Sequence, residues 1–163
     1  MNWLVRVVDS LARKPLARPE TRGANPFLPY DPAMHVADPS PTHVCLLNKF
    51  NVMPHHLLIV TRQFESQDSA LTLTDFQALW ACMAEYDSLG FYNSGSTAGA
   101  SQPHKHLQSV PLPLHAEEPN QVPLQPLFQL DPSAVGQVRC STRLPFVHFL
   151  AALNPDWAAE PQR

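Results

Sequence analysis

Eighteen of the 163 residues are proline and only five are glycine. Proline lacks a backbone N–H and clashes inside helices, so it is confined to first turns, edges and connections. A chain punctuated this often is not a long helical bundle; it predicts short elements joined by extended, stiffened connections. Residues 19–42 are one such connection, and proline also biases the residue before it away from the helical region. Phe27, Leu28 and Tyr30 lie inside it, which predicts that it packs on the body of the protein.

Between the proline-rich stretches the pattern is that of a small sheet with one helix. Residues 43–48 read as a strand whose near-continuous apolar run suggests burial on both faces. Residues 57–61 read as a second, paired with the first as an antiparallel hairpin across a long loop. A helix is expected over 74–87, with Thr74 and Gln77 at capping-box spacing. Its stripe of Phe76, Leu79, Trp80 and Met83 is expected to be core. Residues 89–93, 105–112 and 146–150 read as further strands. Residues 3–8 fit a strand or a helical turn equally, and 113–145 are again proline-rich without a period. There is no internal repeat, and nothing before Pro113 splits the chain into two cores. The fold class is α+β, a mostly antiparallel sheet with a packed helix.

Totals exclude several functions. A net charge of −3 gives no basic field for nucleic acid. No apolar run approaches a membrane span, and the N-terminus, broken by Arg6 and Asp9, is a poor signal peptide. Cys45, Cys82 and Cys140 are odd in number and far apart, so neither a disulfide framework nor a cysteine zinc site is expected. A reduced, cytoplasmic location fits.

Chemistry concentrates between Gly95 and Gln108. Side chains alternate along a strand, so His104, His106, Gln108 and Val110 share one side, and Lys105, Leu107 and Ser109 the other. Residues 95–102 form a small-residue loop whose backbone N–H groups suit a polyphosphate, although it is not a Walker A loop. A neutral imidazole is a good nucleophile at phosphorus if an acceptor holds its second nitrogen. His106 fits that role, and Gln108 can donate to a phosphoryl oxygen as charge builds. Two other readings stay open. His104 and His106, with His55 or His56, are a possible zinc site; alternatively these histidines only satisfy core hydrogen bonds. His35, His115 and His148 read as structural or exposed, and His55 and His56 are undecided. Asn93 suits a ribose hydroxyl, a phosphate or a turn. Arg13, Lys14 and Arg18 read either as solvated surface or as phosphate contacts.

These blocks resemble a known family. Phe91-Tyr-Asn-Ser-Gly95, the loop to Gln102 and His104-Lys-His-Leu-Gln108 resemble the diadenosine tetraphosphate phosphorylases, or ATP adenylyltransferases, of the histidine-triad (HIT-like) superfamily. Leu46-Leu-Asn-Lys-Phe50, His56-Leu-Leu-Ile-Val-Thr61, Asn25-Pro-Phe-Leu-Pro29 and Leu11-Ala-Arg-Lys-Pro15 are similar to the same family. The resemblance spans about residues 5–150. It implies a HIT-like adenylyltransferase N-terminal domain over 1–150 and a tail over 151–163, with the family's C-terminal region absent.

The implied activity is reversible phosphorolysis of diadenosine tetraphosphate by inorganic phosphate, giving ADP and ATP through an AMP–histidine intermediate. By motif, His106 would be the nucleophile, with His104 beside it, and Gln108 would hold a phosphate oxygen. Gly99, Ala100, Ser101 and Gln102 would hold the polyphosphate and Asn93 the nucleotide. Lys14 matches a nucleotide-binding lysine, and Lys49 lies in a matching block. Magnesium would arrive on the nucleotide rather than at a dedicated site. No nucleic-acid or membrane partner is implied. The alternatives are a related nucleotide hydrolase of the superfamily and a nucleotide-binding fragment with impaired catalysis.

Overall fold

The structure, a computed structural model, describes residues 25–115, 122 and 124–154. Lys14, the segment 3–8 and the last nine residues lie outside that range. Five strands form one sheet: β1 (His35–Ser40), β2 (His43–Leu47), β3 (Leu57–Thr61), β4 (Ser88–Phe91) and β5 (His106–Pro111). Their spatial order is β1-β2-β3-β5-β4, and every neighbouring pair is antiparallel. The hairpin joining residues 43–48 to 57–61 is present, with His43 opposite Thr61 and Leu47 opposite Leu57. β3 is central and buried along its whole length, as an apolar run of β-branched and leucine residues between two partners should be.

The sheet buries both faces. Cys45, Leu57, Ile59 and Leu107 point to one side and meet Ala78 and Cys82 of helix α1 (Leu73–Met83). Val44, Leu46, Leu58 and Val60 point to the other and are covered by Phe27, with Tyr30 alongside. The proline-rich segment therefore forms part of the second layer, as its aromatics predicted. Each fully buried aliphatic side chain contributes about 1.5–3 kcal/mol.

Three expectations are corrected. The helix starts two residues earlier than its first spacing signal: Thr72, not Thr74, is the N-cap, and Asp75, not Gln77, completes the capping box. It ends at Met83 rather than 87. Its buried side is Asp75, Ala78 and Cys82 with Leu79 packed beside them, while Phe76 is 53% exposed. The period is right and the phase is off by one residue, because a carboxylate that hydropathy places outside is drawn inward by partners on the sheet.

β1 is the second correction, since the connection 19–42 contains an edge strand. Its register slips between His35 and Ala37 and again before Ser40. Such irregularity suits an edge that carries Pro39, where a missing N–H is tolerated. Third, residues 146–150 form no strand. Only isolated bridges, Arg139 to Leu150 and Val135 to Ala152, pair this region, and Phe146, Val147 and Phe149 are exposed. A short helix α2 (Gln125–Phe128) precedes it. Among the described residues no helix is long and apolar enough to cross a membrane.

Candidate active site

A cavity of about 620 Å³ opens on the face away from α1, a volume typical of small-molecule sites. His106 and Gln108 of β5 reach it from the sheet, and Asn93 and residues 99–102 border it from the loop. Lys49 and Asn48 border it beyond β2, and Phe27, Tyr30 and Phe50 give it an apolar end. Eight of the residues singled out in the sequence thus meet at one opening: His106, Gln108, Asn93, Gly99, Ala100, Ser101, Gln102 and Lys49.

His104 is not among them. It is fully buried, although the strand pattern puts it on the same side. Its Nε2–H donates to the carbonyls of Thr61 (2.9 Å) and Gln63 (3.1 Å), and its Nδ1 accepts from Asn25 Nδ2 at 2.8 Å. Phe27 and Phe64 pack against the ring. Its side chain staples the proline-rich segment to the sheet, and its backbone faces the next histidine.

That backbone contact defines the chemistry of His106. The imidazole Nδ1 lies 2.8 Å from the carbonyl oxygen of His104. A carbonyl only accepts, so Nδ1 carries the proton and Nε2 carries the lone pair. Burial holds His106 below the usual histidine range; the bond to the His104 carbonyl works the other way, and the neighbouring His104 and His56 add to the depression. The ring is therefore neutral at pH 7 and nucleophilic at one defined nitrogen. Phe27 packs against it at 5.3 Å between centroids.

Gln67, which sequence reasoning missed, fixes the strand entry. Its Oε1 accepts from the backbone N–H of His106 at 2.8 Å, and its Nε2 donates to the carbonyls of Asn93 (2.8 Å) and His106 (3.2 Å). Its own carbonyl accepts from Gly95 N–H and from the Tyr92 hydroxyl. One buried amide thus links the backbone of His106 to the start of the loop. Gly95 has φ +73°, and a Cβ there would lie 2.0 Å from Asp68 Oδ1, so the turn requires glycine.

The loop itself differs from the donor cradle expected of it. Residues Ser96–Ala98 form a 3₁₀ turn. The N–H groups of Ala98, Gly99 and Ala100 are spent on Gly95 and Ser96 carbonyls, and that of Gly95 on Gln67. Ser101 and Gln102 border the cavity without a hydrogen bond to another described residue. They are the part of the loop with polar groups to offer a ligand. Gly99, at φ +94°, lets the chain turn beside Asn93.

The other face of β5 is also polar but closed. Lys105 is fully buried, with its Nζ 2.5 Å from Asp75 Oδ2 and 3.2 Å from Glu65 Oε2. Asp75 Oδ1 in turn accepts from His43 Nε2 at 3.0 Å. Burial alone would raise the Asp75 carboxyl; hydrogen bonds from Lys105, Thr72 and His43 outweigh it and leave it below the ordinary range. Among the described residues no three histidine, cysteine or acidic side chains cluster as metal ligands would.

Comparison with known proteins bears on the family and the fold. The family model described as the Ap4A phosphorylase N-terminal domain matches residues 1–130. Protein APA1 of Saccharomyces cerevisiae is 34% identical over 126 residues, covering 69% of this chain and 39% of that protein. Diadenosine 5',5'''-P1,P4-tetraphosphate phosphorylase 2 of the same yeast is 36% identical over 128 residues, with the same coverage. The crystal structure of yeast Ap4A phosphorylase Apa2 superimposes with a TM-score of 0.52 at 32% identity, over 73% of this chain and 36% of that one. Its complex with Ap4A gives 0.53 at 33% identity, over 73% and 40%. The chain thus spans about two fifths of the length of these relatives. The family-model match over residues 1–130, together with the yeast relatives and the Apa2 superpositions, makes this chain a member of the Ap4A phosphorylase N-terminal domain family.

Proposed function

We propose that this chain carries the adenylyl-transfer centre of a diadenosine tetraphosphate phosphorylase. The observation that carries the reading is the Nδ1–H bond from His106 to the His104 carbonyl, which turns a lone pair toward a cavity shared with Gln108. In the first step Nε2 attacks the α-phosphorus of diadenosine tetraphosphate. A P–N bond forms, the bond to the bridging oxygen breaks, and ATP leaves. In the second, inorganic phosphate attacks the same phosphorus, the P–N bond breaks, and ADP leaves with the imidazole restored. The covalent step divides one difficult transfer into two. Orientation and donors aimed at the developing phosphoryl charge supply most of the acceleration.

Gln108 donates to a phosphoryl oxygen, with Ser101 and Gln102 along the polyphosphate, Asn93 at the nucleotide and Lys49 as the cation at the rim. Gly99 and Ala100 shape the loop against the phosphates, and Lys14 is assigned a phosphate contact from its motif. Magnesium enters with the polyphosphate as part of the substrate, and the reaction belongs to the cytoplasm. The yeast Apa2 complex with Ap4A supports the substrate class.

The test is covalent trapping with diadenosine tetraphosphate labelled at the α-phosphorus. Acid-labile, base-stable label should appear on the protein and vanish in His106→Asn. Equal release of label with and without inorganic phosphate would indicate a hydrolase. Because the chain spans 39% of its curated relatives, a binding module without turnover is the second reading. Nucleotide binding without label would establish it in place of the transferase.

A further inference from the structure

A directional chain of hydrogen bonds runs behind Gln108. It begins at a donor whose identity is fixed, the backbone N–H of Phe50, which donates to Asn48 Oδ1 at 2.9 Å. That contact assigns the oxygen of the Asn48 carboxamide, so the Nδ2 side faces His56 Nδ1 at 3.3 Å. Nδ1 of His56 must then accept, and Nε2 carries the hydrogen. His56 Nε2 lies 2.9 Å from Gln108 Oε1 and donates to it. The NH₂ of Gln108 is left as the end that faces the cavity beside His106. Every bond in the series points the same way, and no amide in it is free to flip without losing a partner.

We infer that His56, backed by Asn48, is a positioning residue that turns the Gln108 carboxamide donor-first toward the phosphoryl group attacked by His106. The inference rests on the adenylyl-transfer reading above. Without the relay, Gln108 can present its oxygen instead, and an acceptor facing a phosphoryl oxygen opposes the charge that builds there. The two cavity histidines hold opposite tautomers for opposite tasks: His106 is Nδ1–H with a bare Nε2, whereas His56 is Nε2–H with a bare Nδ1. His56 is 6% exposed, and Phe91 packs against its ring at 6.1 Å between centroids. Its ring is therefore held in place rather than free to swing into the cavity.

The kinetic test is a double-mutant cycle on the rate of AMP labelling of the full chain. Gln108→Ala should slow labelling about a hundredfold, as loss of a transition-state donor does. His56→Leu should slow it about tenfold, the size of one hydrogen bond, with less than a twofold change in nucleotide affinity. In the Gln108→Ala background His56→Leu should change the rate less than twofold. His56→Gln, whose amide can both accept from Asn48 and donate to Gln108, should recover most of the loss. Additive losses, or a rate that falls only with affinity, would overturn the role of His56 while leaving the transfer chemistry intact. Absence of label on the wild-type chain would overturn the transfer reading itself. Imidazole ¹⁵N shifts then test the relay without turnover: protonated Nε2 and bare Nδ1 at His56 support it, and the reverse tautomer defeats it.

Discussion

The two faces of β5 hold equally polar side chains and put them to different ends. On the α1 side Lys105 is enclosed, and its charge is answered by Asp75 and Glu65 within the protein. On the cavity side His106 and Gln108 each spend one polar end on the protein and turn the other toward open space. Burial is severe on both sides, Lys105 being 0% exposed and His106 5%. What separates structure from chemistry here is whether each polar group's last partner is already supplied. A closed network stabilises; a network with one end unanswered waits for a ligand.

The contrast breaks most sharply at position 106. His106→Asn should reduce AMP labelling about a thousandfold or more, as removal of a covalent nucleophile does, while its urea midpoint falls less than that of Lys105→Met. Lys105→Met should do the reverse. It leaves Asp75 buried without its cation, which costs about 3–5 kcal/mol, measured as a lower urea midpoint. Adding Asp75→Leu should restore part of that loss. If Lys105→Met unfolds at the wild-type midpoint, the closed face is not what holds α1 to the sheet.

Protons sharpen the comparison on a smaller scale. His56, His104 and His106 all sit below the ordinary histidine range, chiefly through burial. A depressed folded pKa means that the unfolded chain binds the proton first. The stability these neutral rings contribute is complete above the unfolded value of about 6.5 and is lost as pH falls below it toward the folded values. Each ring contributes a slope of up to about 1.4 kcal/mol per pH unit. Unfolding midpoints at pH 7, 6 and 5 should therefore fall steadily, whereas a flat profile would contradict the neutral imidazoles. At the small end is Phe149→Ser. Its side chain is 74% exposed, so stability should change by about 0.5 kcal/mol or less.

The same division explains which features can be seen in the sequence. The alternation of β5 and the apolar runs of β2 and β3 are legible because each states its own environment. The placing of His106 and Gln108 on one side follows from strand period, but the same period puts His104 beside them, and His104 is sealed away from the cavity by its own partners. Lys105, Asp75 and Gln67 are not legible: a charged or amide side chain reads as surface until the partner that meets it is known, and those partners lie 30 to 40 residues away. The helix phase is mistaken for that reason, since Asp75 is buried by Lys105 rather than by its own character. Residues 146–150 err the other way, an apolar run with no strand to pair with. His56 is undecidable in sequence because its role depends on Asn48 and Gln108 together.

The alternation of β5 has one more consequence. Histidine, lysine and histidine follow one another at 104–106, so a single inserted or deleted residue in this strand would exchange the contents of its faces. The ammonium would be delivered into the opening, and the imidazole of His106 would be pressed against the helix. Length changes here are tolerable only in pairs.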